Sequence, residues 1–270
     1  MPFVPAIQQP DRIQEPKWYF VFQNRKLLVI QEEIGISIPC LHDPSTLAVS
    51  LVSQLYIGNL NGTHCFTGVI DPASNLPANI SLYDLRSVYG LIDDDLFAVA
   101  GRALVVASWD STCKFCAQCG KPLDWNAHER AKLCSSCGIS YYPKLSPAII
   151  VAVIKDDQIL LARGKSFPIG RYSVIAGYVD AGETLEQCVR REVKEEAGIE
   201  IKNISYFGSL PWPCSDSIMI GFTAEYSSGS IQPDGVEITE AGWFKADGLP
   251  DVPGKVSLAR KLIDWFIGRH

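Results

Sequence analysis

The sequence predicts an α+β protein of two β-rich domains joined by a small cysteine module, and three observations carry that reading. Strand-like runs separated by polar turns recur in both halves of the chain, with three long helical patterns among them. Two C-x-x-C pairs interrupt the chain near its middle, where apolar periodicity fades. After Pro143 the pattern turns β-rich again around one strongly acidic helix. The expected divisions are residues 1–112 for an N-terminal α+β domain, 113–143 for the cysteine module and 144–270 for a second domain.

The opening stretch reads as loose, and Trp18 to Phe22 and Leu27 to Gln31 then read as strands around the polar turn Gln23 to Lys26. Ala48 to Ile57 and Cys65 to Ile70 form a second hairpin across Asn61-Gly62, a dipeptide suited to tight turns. Asp84 to Tyr89 and Asp93 to Trp109 read as helices, the second opened by Asp93, Asp94 and Asp95, where the helix dipole favours acids. In the second domain Pro147 to Ile154 and Gln158 to Arg163 are strands joined by Asp156-Asp157, and Tyr172 to Val179 runs into a Gly-rich corner. Thr184 with Gln187 makes a capping box that opens a helix, and Gly198 stands where a left-handed C-terminal cap is expected. Strands near Ser205 to Leu210, Ser217 to Tyr226 and Ala241 to Phe244 follow, and a helix over Lys255 to Ile267 closes the domain. No internal repeat or low-complexity tract is legible.

Composition narrows the function classes. Of 270 residues 47% are hydrophobic and 20% charged, an ordinary globular balance, and no apolar run reaches membrane-spanning length. The start, MPFVPAIQQPDRIQEP, lacks the basic and apolar regions of a signal peptide, so a cytoplasmic location is expected and the nine cysteines are expected without disulfides. A net charge of -6 argues against electrostatic coating of long nucleic acid, though it leaves a single nucleotide end open.

Cys116, Cys119, Cys134 and Cys137 form two knuckles, each followed by Gly, a spacing that makes a closed tetrahedral site for structural Zn²⁺ rather than a redox pair. Cys113 is near enough to compete but breaks the paired spacing. Cys40, Cys65, Cys188 and Cys214 are expected to be small buried apolar residues. Residues 113 to 144 hold five Lys/Arg against Asp124 and Glu129, a modest excess that favours a metal staple over a nucleic-acid surface.

In the acidic helix, a turn of about 100° per residue puts Leu185, Cys188, Val189 and Val193 on the inward face. Glu186, Gln187, Arg190 and Lys194 point away, but Glu192, Glu195 and Glu196 fall within or beside the inward arc. Carboxylates gathered there repel one another and lose hydration unless a cation compensates. Hard oxygen ligands select Mg²⁺ or Mn²⁺, ions suited to phosphate chemistry. Glu192, Glu195 and Glu196 are therefore the expected ligands; Arg191 is expected to orient the carboxylates, Glu183 to hold the loop, and Gly177 and Gly182 to let the corner fold against the site.

The segment Gly177 to Ile199, GYVDAGETLEQCVRREVKEEAGI, matches the box G-x5-E-x7-R-E-U-x-E-E-x-G-U at every fixed place, with U aliphatic. It thereby resembles the Nudix hydrolase family, which implies an α/β/α sandwich on a mixed sheet and metal-dependent cleavage of nucleoside diphosphates. Ser209-Leu-Pro-Trp-Pro-Cys-Ser-Asp-Ser217 is similar to the S-Q-P-W-P-F-P-x-S motif of the NADH pyrophosphatase branch. That branch also carries a zinc ribbon followed by Tyr-Tyr-Pro, here Tyr141-Tyr142-Pro143. The likeness covers roughly residues 93 to 268 and departs at Leu210, Cys214 and Ser215, where the motif has Gln, Phe and Pro.

The resemblance implies hydrolysis of NAD(H) to nicotinamide mononucleotide and AMP, removal of NAD caps from RNA 5′ ends, and a homodimer. It implies a substrate pocket from Leu210, Pro211, Trp212, Pro213, Cys214, Ser215, Asp216 and Ser217, with Tyr178 stacked on nicotinamide and Tyr142 contributed across the dimer. Arg86 and Ala259 match further substrate positions, the Ala176 carbonyl and Glu237 match metal positions with Glu240 as rival to the latter, and Glu129 matches a place where the ribbon binds another ion. From the residues themselves, Trp212 between two prolines is a stiff aromatic surface for a base, or a packed turn. Two alternatives stand beside this reading: a pyrophosphatase for ADP-ribose or another nucleotide sugar, and a nucleotide-binding protein without catalysis, which would be expected to have lost one of the box carboxylates.

Overall fold

The computed structural model describes residues 3–269. Its contacts separate into two units, one ending at Lys144 and the other beginning at Leu145. In the first, β1 (Phe3–Pro5), β2 (Lys17–Gln23), β3 (Lys26–Gln31), β4 (Ile36–Ser37), β5 (Cys40–Leu41), β6 (Leu51–Leu60), β7 (Thr63–Ile70) and β8 (Ile80–Tyr83) form one sheet. Its order is β1-β6-β7-β2-β3-β4, with β5 beside β2 and β8 beside β3. The strands β2 and β7 run parallel, which brings Tyr19, Val21, Leu28 and Phe66 into one core. Helix α1 (Asp94–Thr112) starts on an Asp93 cap that accepts from the amides of Asp95 and Leu96. The buried Thr67 hydroxyl lies 3.0 Å from the carbonyls of both Phe20 and Ala103, tying α1 to the sheet.

Three expectations fail here. The opening stretch, read as loose, carries β1, which pairs antiparallel with β6. The Asp84 to Tyr89 helix is a single 3₁₀ turn, Leu85–Val88, because Gly90 turns the chain at φ 78° before a second turn can propagate. Cys65 and Cys188 are buried as expected, but Cys40 is exposed and Cys214 only half-buried. Ile38 and Leu41 take the inward places around Cys40, and Cys214 rides on the tight turn Pro213–Ser215.

The cysteine module follows as a three-stranded sheet of β9 (Asp124–Trp125), β10 (Lys132–Leu133) and β11 (Ser140–Tyr141). In the second unit, β12 (Ser146–Lys155), β13 (Gln158–Gly164), β14 (Ile175–Tyr178), β15 (Glu200–Trp212), β16 (Ser217–Ser228) and β17 (Ile238–Lys245) form a mixed sheet. The order is β15-β16-β12-β13-β17 with β14 beside β12, and β12 and β16 are the parallel pair. Strand alternation loads both faces. Ile149, Val151 and Val153 of β12 pack with α2 (Leu185–Ala197), and Ile150 and Ala152 pack with α3 (Leu258–Ile267). The result is an α/β/α sandwich whose α2 is held by the expected capping box and by Gly198 at φ 75°.

The two units share one plan, which overturns the expectation of no repeat. β2, β3, β5, β6, β7, β8 and α1 follow one another with the same pairings as β12, β13, β14, β15, β16, β17 and α3. The first unit has only the 3₁₀ turn Pro44–Leu47 where the second has α2. Many apolar alternations satisfy one sheet plan, so the repeat survives in topology where residue identity does not show it.

Candidate active site and zinc module

Helix α2 delivers its carboxylates to one cavity of about 540 Å³ lined by Glu192, Glu195, Glu196, Glu237 and Asp234, with Ala176 and Gly177 of β14 beneath them. Glu196 is 8% exposed and enters no ion pair among the described residues. Burial, then the charges of Glu192, Glu237, Asp234 and Glu195, push its carboxyl up to about 8. Burial raises Glu192 as well, against the pull of Arg191.

Arg191 is the cationic keystone. Its Nε and Nη2 donate to the two oxygens of Glu183 at 2.8 and 3.0 Å, and Nη1 donates to Glu192 at 2.8 Å and Glu195 at 3.1 Å. Nη2 also reaches the Tyr178 carbonyl at 3.0 Å, fixing helix to strand. The fork holds the Glu183 carboxyl down at about 2. Of the three α2 carboxylates that line the cavity, Glu196 is the one this network leaves without a cation.

Gly177 serves the site by leaving space rather than by unusual backbone. A Cβ there would stand 1.9 Å from Cδ of Glu192, so the carboxylate occupies the volume a side chain would take. Gly177→Ala is expected to cost about 10- to 100-fold in activity by displacing Glu192, with the thermal midpoint lowered by only a few degrees; assays beside melting curves check this.

Of the rivals for the remote carboxylate, Glu240 is occupied: Arg163 donates to it through Nε at 2.9 Å and Tyr172 donates through its hydroxyl. Glu237 instead lines the cavity, on a loop held by Asp234, which accepts from the amides of Val236, Glu237 and Ile238. Asp234 is a site residue that motif reading misses, since Pro233-Asp234-Gly235 signals only a turn.

Most of the rest of the lining comes from the β15–β16 hairpin and from Tyr178 of β14. Trp212, Ser215 and Met219 line the cavity with Tyr178, whose hydroxyl lies 3.2 Å from Oγ of buried Ser217. Leu210 packs into the α3 core, and Ala259 is buried in the same core. Pro211, Pro213, Cys214 and Asp216 belong to the hairpin without lining the cavity. Arg86 and Tyr142 belong to the first unit, Arg86 on its 3₁₀ turn and Tyr142 donating to Glu129 at 2.6 Å.

In the cysteine module all four Sγ atoms lie within 4.8 Å of one another, and Cys113 is outside the group. The Cys116–Cys137 and Cys119–Cys134 sulfurs are 4.0 and 3.6 Å apart, close to the roughly 3.8 Å edge of a tetrahedron with 2.3 Å Zn–S bonds. Gly120 and Gly138, at φ 71° and 69°, fold each knuckle back onto its first cysteine carbonyl. Two of the five cations of residues 113–144 are engaged within the first unit. Arg130 donates to the carbonyls of Ala6 and Tyr56, and buried Lys132 pairs with Asp110 at 2.7 Å between Trp109 and Trp125. The staple reading therefore gains over a nucleic-acid surface.

Comparison with known proteins adds three family-model matches: a NUDIX domain over residues 144–266, an NADH pyrophosphatase zinc ribbon domain over 111–142, and an NADH pyrophosphatase-like rudimentary NUDIX domain over 16–109. The last lies on the sheet whose plan repeats that of the second unit. An NAD-capped RNA hydrolase NudC of Stutzerimonas stutzeri is 42% identical over 224 residues, covering 83% of this chain and 81% of the relative. A protein of the same name from Photobacterium profundum is 47% identical over 192 residues, 71% of this chain and 72% of its own. A solved NUDIX hydrolase from Nitrosomonas europaea covers 58% of this chain and 92% of its own at 24% identity, with a TM-score of 0.49.

Proposed function

This chain belongs to the Nudix hydrolase family, and on that premise we propose that it cleaves the diphosphate of NAD(H) to nicotinamide mononucleotide and AMP and removes NAD caps from RNA 5′ ends. The observation that carries this reading is a single cavity whose lining joins four glutamates, Glu192, Glu195, Glu196 and Glu237, to two aromatic side chains, Trp212 and Tyr178. A substrate that fills it needs a polyanionic centre and a flat ring, which a dinucleotide supplies.

Nudix hydrolases use Mg²⁺ or Mn²⁺, which neutralises charge on the diphosphate and polarises water toward phosphorus. The residues fit such an ion: Glu192, Glu195, Glu196 and Glu237 offer hard oxygens, Ala176 lies beside them to offer its carbonyl, and buried Glu196 has no other cation among the described residues. The chain's own work is positional. Arg191 fixes Glu183, Glu192 and Glu195 before substrate arrives, Ser217 steadies the Tyr178 ring, and Trp212 offers a stiff surface at small entropic cost. The four cysteines of the ribbon, with their sulfurs within 4.8 Å of one another, would hold a structural Zn²⁺, which would staple the module rather than take part in the chemistry.

A second reading, hydrolysis of ADP-ribose or another nucleotide sugar, draws on Ser215, which lines the cavity in place of the motif's Pro. It loses support at Leu210, which packs in the core. Product analysis separates cleavage chemistries: NADH is expected to give AMP and reduced mononucleotide in equal amounts. Release of free nicotinamide would mean a different bond is broken and overturn the proposal.

We further propose a cytoplasmic homodimer. No described helix is long and apolar enough to cross a membrane. Phe115 and Tyr142, 62% and 58% exposed, are aromatic surface of the kind that self-association covers. A sedimentation mass equal to one 29.7 kDa chain would remove this part of the proposal.

A further inference from the structure

The loop between β16 and β17 brings two carboxylates to the cavity, Asp234 and Glu237, and their surroundings differ. Asp234 has both oxygens engaged. Its Oδ1 accepts from the amides of Ile238 at 2.8 Å, Val236 at 3.2 Å and Glu237 at 3.2 Å, and its Oδ2 accepts from Glu237 at 3.1 Å. A carboxylate has about four lone-pair sites, so these contacts use what Asp234 could offer a hard cation. Glu237 enters the hydrogen bonds of the loop through its backbone, which leaves its carboxylate for the cavity.

The turn wound around Asp234 is bolted at both ends. On one side the Gln232 amide donates at 2.9 Å to the carbonyl of Ala197, the last residue of the helix that carries Glu192, Glu195 and Glu196. That bond satisfies one of the carbonyls a helix end leaves open. A Cβ at Gly198 would stand 3.1 Å from that of Gln232, so the cap glycine of α2 also leaves the loop its seat. On the other side the Glu237 carbonyl accepts from the Lys165 amide at 2.8 Å, just beyond β13. The Gly235 amide closes the turn on the Ile238 carbonyl at 3.0 Å.

Four glutamates gathered at one cavity repel one another, and a loose loop would let Glu237 swing away whenever no cation is bound. We propose that Asp234 is a positioning residue, which spends its charge on the amides of its own turn, sets Glu237 toward the α2 carboxylates before the metal arrives, and does not itself ligate the metal. This rests on the divalent-metal reading above and deepens it. The loop is thereby a preformed arm of the site rather than a lid that metal must close.

Mn²⁺ binding to the zinc-loaded full chain, read by electron paramagnetic resonance without substrate, tests the assignment beside amide hydrogen exchange. Asp234→Ala is expected to weaken Mn²⁺ about 10- to 100-fold and to speed exchange at residues 236–238. Asp234→Asn keeps a carbonyl oxygen for the three amides but loses the charge, and is expected to stay within about 3-fold of wild type. A loss in Asp234→Asn as large as in Asp234→Ala would make Asp234 a ligand and overturn the assignment. A lowered thermal midpoint in Asp234→Ala with unchanged Mn²⁺ affinity would overturn it as well, leaving only a structural turn. In wild type the 236–238 amides are expected to be as protected without Mg²⁺ as with it; protection that appears only with Mg²⁺ would contradict a preformed arm. Because no dinucleotide is present, a wild type that binds Mn²⁺ but leaves NADH intact would overturn the proposed function alone.

Discussion

Glu196→Gln is expected to lower kcat by about 10²–10³-fold or more while leaving the fold and the zinc ribbon intact. The carboxyl is buried, lacks a cationic partner among the described residues and is raised from its ordinary 4.5 to about 8, so without metal it carries a proton at neutral pH. Gln mimics that neutral form but offers no charge to a divalent ion. The linkage has a definite sign. Between about pH 5 and 8 the unfolded chain has released a proton that the folded chain keeps, so metal-free wild-type protein loses stability as pH rises, by up to a few kcal/mol. The Gln variant lacks this slope, and Mg²⁺ at pH 8 stabilises wild type alone. Turnover assays with melting curves in chelator and in Mg²⁺ check both parts; wild-type rates in the variant would sink the metal role.

Arg191→Lys is expected to cost about 10- to 100-fold in activity and roughly 1–3 kcal/mol in stability. Lysine keeps the charge but cannot span Glu183, Glu192, Glu195 and the Tyr178 carbonyl at once, as the guanidinium does. The loss falls on metal affinity, because two of the released carboxylates line the metal cavity. Raised Mg²⁺ should therefore recover part of the Arg191→Lys rate and none of the Glu196→Gln rate. An unchanged Mg²⁺ dependence in Arg191→Lys would contradict the orienting role.

These two variants also mark what was legible in the sequence. Helix α2 was written locally: Thr184, Gln187 and Gly198 supply its ends, and helical phase alone put Glu196 beside Val193 on the inward face. The four cysteines were legible because a closed metal site constrains spacing along the chain. The space under Glu192 was not, since it depends on β14 passing beneath α2, a contact between residues 177 and 192 that periodicity does not encode. Asp234 and Lys165 escaped for a similar reason, being loop residues whose roles exist only once the sheet brings β13, β14 and β17 together. Leu210 shows the converse: a motif position that looked like pocket wall is a core contact to α3.

The central claim is that this site cleaves the diphosphate of NAD(H) or of an NAD cap. The direct measurement is Mg²⁺- and Mn²⁺-dependent AMP release from NADH, NAD-capped RNA, ADP-ribose and ADP-glucose at matched concentrations. The expected result is the highest kcat/KM for NADH or the capped RNA, abolished by chelation of the divalent ion. Preference for ADP-ribose or ADP-glucose would contradict the account and show that Ser215 and its neighbours have redirected the cavity.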